Sequence, residues 1–277
     1  MRENKYLIEF YNNYSEEERL LSKSGRVEFL TTIHYIEKYL KPKDKIIEIG
    51  AGTGRYSHYL AHQGYEVDAV ELVEHNINIF NNNTLPEEKI SITQGNALDL
   101  SFISDNKYDI TLLLGPMYHL YTKEDKMKAL REAIRVTKKG GKIFVAYVIS
   151  DGCLIDEGFN RGNIDVKNYI KRGLIDEEKF TTKSKPEDLF ELVRKENIDE
   201  LIKNLPLKRL HYVASDGCSL LIREAIEKMD TELFNIYLKY HFSICEREDL
   251  LGISSHSLDI LEYIGDYYGI YKRFSKK

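Results

Sequence analysis

The chain has 277 residues, with 40 Lys+Arg against 45 Asp+Glu for a net charge of −5, and its 42% hydrophobic and 31% charged residues exclude a disordered chain and fit one able to bury a core. No apolar run approaches the roughly 18 residues of a membrane span and the first residues lead into no apolar signal segment, so a cytoplasmic protein with no membrane partner is expected. The mild negative charge disfavours nucleic acid as the main partner, and Cys153, Cys218 and Cys245 are too widely spaced for a metal knuckle, so no metal is expected.

The first 40 residues read as two helices. Leu7, Phe10, Tyr11 and Tyr14 sit at helical spacing, and Val27, Leu30, Ile33, Ile36 and Leu40 form a second stripe after Gly25. Strands and helices then alternate. Residues 45–49 read as a strand, 55–62 as a helix, 66–71 as a strand, 74–82 as a helix and 90–92 as a short strand. A longer, fully buried strand is expected over 108–114. The helix after it starts at Thr122, with Asp125 at capping-box spacing, and the sequence places Lys138 and Lys139 in its last turn before Gly140-Gly141. The fifth strand is expected over 142–149. Such an alternation implies parallel βαβ units and an open sheet covered on both faces.

The pattern changes after Ser150. Residues 151–182 carry four glycines and little periodicity, as an insertion or lid would. A helix is expected from Pro186 to about Glu196, a strand over 207–213, helices over 218–229 and 231–245, and a last strand over 255–263. There is no internal repeat and no clear linker.

Three features carry chemistry. Glu48-Ile49-Gly50-Ala51-Gly52-Thr53-Gly54 follows the first strand directly, and glycines there bring bare amides against a ligand at a helix N-terminus. A dinucleotide fingerprint needs a third glycine at the position held by Arg55, which weakens a nicotinamide reading, and no Gly-Lys-Ser/Thr follows, which excludes a Walker loop. Glu71 ends the second strand, 21 residues after Gly50, where an acid can accept from two ribose hydroxyls. Asn96 follows the third strand, where an amide can read an adenine edge. All three lie at the carboxyl ends of adjacent strands, the crevice where open α/β sheets bind ligands.

Together these residues resemble the class I S-adenosylmethionine-dependent methyltransferases, firmly over about residues 44–149. The resemblance implies a Rossmann-like seven-stranded, mostly parallel sheet with helices on both faces and an antiparallel last strand. It implies a helical N-terminal cap over 1–43 and a methyltransferase domain over 44–277, with 151–182 as the insertion after strand five. S-adenosyl-L-methionine is the implied cofactor. Glu48, Gly50, Ala51, Gly52 and Gly54 are the implied contacts to its methionine end, Glu71 and Leu72 to its ribose, and Asn96 and Ala97 to its adenine, with Gly115 beside them. Leu114 to Leu120 and Asp249 to His256 are similar to a bacterial branch whose acceptors are undefined, so the acceptor stays open. Adenine-N6 enzymes carry Asp/Asn-Pro-Pro-Tyr/Phe after strand four. Gly115 and Met117 depart from that pattern here.

The expected function is methyl transfer to a small-molecule acceptor. An RNA or protein methyltransferase, a non-catalytic cofactor-binding module and another Rossmann nucleotide-binding enzyme are the alternatives. His119 is a candidate general base and Tyr118 a candidate wall of the acceptor site. Tyr11, Tyr14, Arg19 and Tyr56 are candidates for a cap that closes on the ligands.

Overall fold

Residues 4–13 and 22–265 are described by a computed structural model of the chain. The apolar stretches become β1 (Lys45–Ile49), β2 (Glu66–Glu71), β3 (Ile90–Gln94), β4 (Tyr108–Leu113) and β5 (Thr137–Ile149), all mutually parallel where they pair. Further on come β6 (Leu192–Val193), β7 (Leu207–Ala214) and β8 (His256–Tyr263). The order across the sheet is β3-β2-β1-β4-β5-β8-β7, with β6 pairing only the end of β5. β8 runs antiparallel to both β5 and β7, which makes the last strand antiparallel as expected. The order of the strands reverses between β1 and β4, and the crevice opens there.

Alternate residues of each strand feed two cores. Ile47, Ile49, Leu113, Val145 and Leu261 face α5 (Lys123–Val136) and α8 (Lys195–Ile202). Ile46, Ile110, Leu112, Phe144 and Ile260 face α2 (Lys23–Tyr39) and α3 (Arg55–His62). Phe80 of α4 (Glu74–Asn83) fills the corner against Ala51 and Ala69. α2 is in turn covered by α9 (Arg223–Lys228) and α10 (Thr231–Ile244), through Val27, Ile226, Phe234 and Tyr237. α1 (Asn4–Tyr11) lies over the carboxyl edge of the sheet. No helix among the described residues is long and apolar enough to cross a membrane.

Four sequence expectations are corrected. The sheet has eight strands rather than seven, because Leu192–Val193 pairs with Val148–Ile149. The helix before β5 stops at Val136, so Lys138 and Lys139 lie in the strand. Thr137 is already extended and pairs with Tyr108; its hydroxyl bonds to the Ala133 carbonyl and to Thr111. The register then shifts between Tyr108 and Ile110, so that 138–141 bulge out. The expected helix over 186–196 is a single 3-10 turn, Pro186–Asp188, ended by Leu189 at φ +69°. The helix expected from Cys218 starts only at Arg223, since 218–222 close into turns such as Leu221 N–H to Cys218 C=O.

The insertion is not featureless. α6 (Ser150–Cys153) runs into a π-type turn over Leu154–Asn160, and α7 spans Val166–Lys171. The segment is tied down by Asp156, which is buried and accepts from Arg223 at 2.5 Å.

At the antiparallel end, Asp259 of β8 is fully buried and takes both nitrogens of the Arg209 fork at 2.7 Å each. Burial holds its carboxyl above the usual range, and the guanidinium opposes that. Removing one member leaves a buried charge unmatched, which costs more than the pair itself contributes. Arg209→Leu should therefore lower unfolding stability by about 3–5 kcal/mol in urea titration, and the double variant Arg209→Leu/Asp259→Leu should recover most of it. Equal losses in the single and double variants would show that packing, not charge, holds this end of the sheet.

Candidate active site

The carboxyl ends of β1 to β4 open into a cavity of about 420 Å³, within the range of small-molecule pockets. Its floor is the loop after β1. Gly50 has φ +75° and gives its N–H to the Val70 carbonyl at 2.8 Å. A Cβ there would lie 2.6 Å from the Pro116 ring, and one on Gly115 would lie 2.9 Å from the Gly50 carbonyl. The loops after β1 and β4 therefore touch, and only glycines allow it. Gly54 stands apart. It does not line the cavity; a Cβ on it would strike the Phe80 ring, so its role is to let α3 pack on α4.

Gly54 is also the N-cap of α3 and offers no side chain to the first-turn amides. Glu48 supplies that cap from β1. Its carboxylate accepts the Ser57 N–H at 3.0 Å and the Ser57 hydroxyl. Glu48 is completely buried, and desolvation pushes its carboxyl up to about 8, opposed by the Ser57 bonds and helped by the nearby charge of Glu71.

Glu71 also holds the loop. One carboxylate oxygen accepts from Gly52 N–H at 2.8 Å, and the other from Val73 N–H at 2.9 Å and the Asn76 amide at 3.4 Å. Its backbone carbonyl accepts from Gly95 N–H at 2.9 Å, which brings the loop after β3 alongside. Asn96 closes a turn there, its side-chain oxygen accepting from Leu98 N–H at 2.9 Å. Glu48, Gly50, Ala51, Gly52, Glu71, Leu72, Asn96, Ala97 and Gly115 all line the cavity.

The roof is aromatic. Tyr11 of α1, Tyr56 of α3, and Tyr118 and His119 of the 3-10 turn Pro116–His119 line it. The Nδ1–H of His119 donates to the Leu189 carbonyl at 2.9 Å, which leaves Nε2 to accept from the Tyr11 hydroxyl at 3.0 Å. Tyr121 donates to the same Leu189 carbonyl at 2.7 Å. Burial lowers His119 to about 4, against a smaller raising effect of the Leu189 bond. Phe190 packs on Tyr118 and His119, and Phe10 packs on Phe190, which fastens α1 over the opening. None of residues 151–182 lines the cavity, whereas Leu7 and Tyr11 do. Tyr14 and Arg19 lie outside the described residues. Among the described residues no cluster of His, Cys, Asp or Glu has the geometry of a metal site.

Sequence reasoning missed Ser57, Leu189 and Tyr121. Ser57 could have been suspected as a buried polar residue in the first turn of an uncapped helix. Leu189 carries no signal, because its contribution is a backbone carbonyl in an unusual conformation.

Residues 47–145 match the profile of a family described as a methyltransferase domain. A protein of Methanocaldococcus jannaschii, provisionally described as a ribosomal RNA large subunit methyltransferase, is 29% identical over 154 residues, 51% of this chain and 39% of that one. The demethylmenaquinone methyltransferase of Renibacterium salmoninarum is 32% identical over 106 residues, 38% of this chain and 41% of that one. The chain thus spans about two fifths of the length of these relatives. A crystal structure of a SAM-dependent methyltransferase from Methanosarcina mazei superposes over 84% of this chain and 98% of its own, with a TM-score of 0.54 at 16% identity, a likeness of fold. Sheet order, glycine loop and family profile agree: residues 47–145 match a methyltransferase domain, and the sheet has the Rossmann-like fold seen in the Methanosarcina SAM-dependent methyltransferase.

Proposed function

We propose that this chain binds S-adenosylmethionine in the cavity and transfers its methyl group to a small-molecule acceptor. The observation that carries the reading is the convergence of the β1 loop, Glu71 and Asn96-Ala97 on one cavity at the switch point of the sheet. The residues fit the cofactor. Gly52 leaves the loop backbone open, Glu71 keeps lone pairs for ribose hydroxyls beyond its two backbone bonds, and Leu72 and Ala97 flank the place of a flat base. When bound, the cofactor supplies an electrophilic methyl on sulfur, which passes to the acceptor by in-line displacement and leaves S-adenosylhomocysteine. The chain's own task is alignment and exclusion of water. Gly115 and Pro116 hold the β4 loop against the β1 loop, and the aromatic roof of Tyr11, Tyr56 and Tyr118 closes over the acceptor side.

His119 serves in this reading as a positioning residue. A ring held near 4, with both nitrogens engaged, takes up few protons at neutral pH, while it joins α1 to the β4 loop and to Leu189. The RNA description of the Methanocaldococcus relative favours a second reading, an RNA acceptor. Against it stand the roofed cavity and its carboxylates Glu28, Glu71 and Asp125. Incubating the protein with methyl-labelled cofactor and either cell metabolites or total RNA separates the two by the class of labelled product.

Calorimetric titration should show saturable binding of S-adenosylmethionine or S-adenosylhomocysteine, and Glu71→Ala should weaken it by about 1–3 kcal/mol. No binding by wild type below about 1 mM would sink the cofactor assignment, since that is weaker than about −4 kcal/mol. For His119, the sign follows from its lowered value. The protonated form is disfavoured in the fold, so the stability it contributes is complete above the ordinary 6.5 and is lost as pH falls toward about 4. An NMR titration of its ring proton should give a midpoint near 4; a midpoint at the ordinary value would refute the neutral, doubly bonded ring.

A further inference from the structure

The inner face of α10 belongs to the core, where Phe234 and Tyr237 pack on Val27 and Ile226 and His241 is buried. Its outer face carries Leu233, Ile236 and Tyr240, which are 49%, 54% and 56% exposed. Spaced by three and four residues, these side chains form one stripe along two turns. Single exposed apolar residues are ordinary on a protein surface, but a row of three on one helix is a patch. Beside the stripe stand Glu232 and Lys239, both exposed, and neither joins an ion pair among the described residues. They sit seven residues apart and on the same flank.

We propose that this face of α10 is the contact between two copies of the chain, related by a two-fold axis passing beside Ile236. In an antiparallel pair centred there, Leu233 of one copy comes within about one residue rise, ~1.5 Å along the axis, of the level of Tyr240 in the other. Glu232 comes equally close to the level of Lys239 in the second copy, and the two-fold repeats that pairing at the other end. A parallel pair would carry the Glu232 and Lys239 flanks of the two copies to opposite sides of the contact, so only the antiparallel arrangement brings the opposite charges together. None of the five residues lines the cavity, so the contact leaves it open. The second copy would instead brace α10 against α2, whose Glu28 and Thr32 form part of the cavity wall. A single helix pair lies at the small end of stable interfaces, so the association belongs in the micromolar range.

Sedimentation velocity of the full chain from about 1 to 200 µM tests this, over the range where a small interface associates. Wild type should shift from monomer to dimer with concentration. Ile236→Lys, at a site exposed in the monomer, should leave thermal melting unchanged and abolish the dimer. Glu232→Lys should weaken association about tenfold, and the exchange Glu232→Lys/Lys239→Glu should restore it. A wild type that stays monomeric throughout, or an Ile236→Lys variant that dimerises as before, would overturn the proposal. Open assemblies larger than two would overturn the two-fold contact, and an exchange that fails to restore association would overturn the antiparallel register.

Discussion

The site is organised around a carboxylate that is out of reach of water. Glu48, next to last in β1, caps α3, and so fixes the strand and the helix that flank the glycine loop. An ordinary N-cap side chain at position 54 would do the same electrically, but it would collide with Phe80. Moving the cap from the loop to the strand lets the loop stay bare. The energetic consequence is a buried acid that holds its proton more tightly than in water, with Glu71 close enough to reinforce the effect.

The same economy governs Glu71. Its two oxygens fasten Gly52 and Val73, so the ends of β1 and β2 are fixed in relation to each other before any ligand arrives. The Gly50–Pro116 and Gly115–Gly50 approaches add the end of β4. Three strand ends are thus locked by two carboxylates and two glycines, which is the preorganisation that an alignment-dependent reaction requires.

Much of this was legible in the sequence because it rests on local pattern. Apolar runs and glycine punctuation gave the first four parallel strands, and alternating glycines with an acid two strands' reach away marked the crevice. The misreadings share a cause. Thr137 has the helical neighbours Ile134 and Val136, yet its hydroxyl satisfies the Ala133 carbonyl and meets Thr111, a partner 26 residues away. Pro186-Glu187-Asp188 is a sound helix start that Leu189 aborts, because its carbonyl is claimed by His119 and Tyr121 from far along the chain. Local signals describe where an element can begin; distant hydrogen bonds decided where these ended. His119 shows the same limit, since a histidine after β4 suggests a base until burial and two fixed partners are known.

The Leu189 carbonyl has one more consequence. It is a backbone atom, so substitution of its own side chain leaves it in place, and two otherwise separate pieces of chain meet through it: the loop between β4 and α5, through His119 and Tyr121, and α1 at one remove through Tyr11. The roof of the cavity is therefore registered against the main chain of a segment that contributes no cavity-lining residue. The Leu189 side chain can diverge while the roof keeps its height, Phe190 being the side chain of that turn that packs on it, and a shortening or lengthening of the segment by one residue would retune the acceptor space without altering any group that lines it.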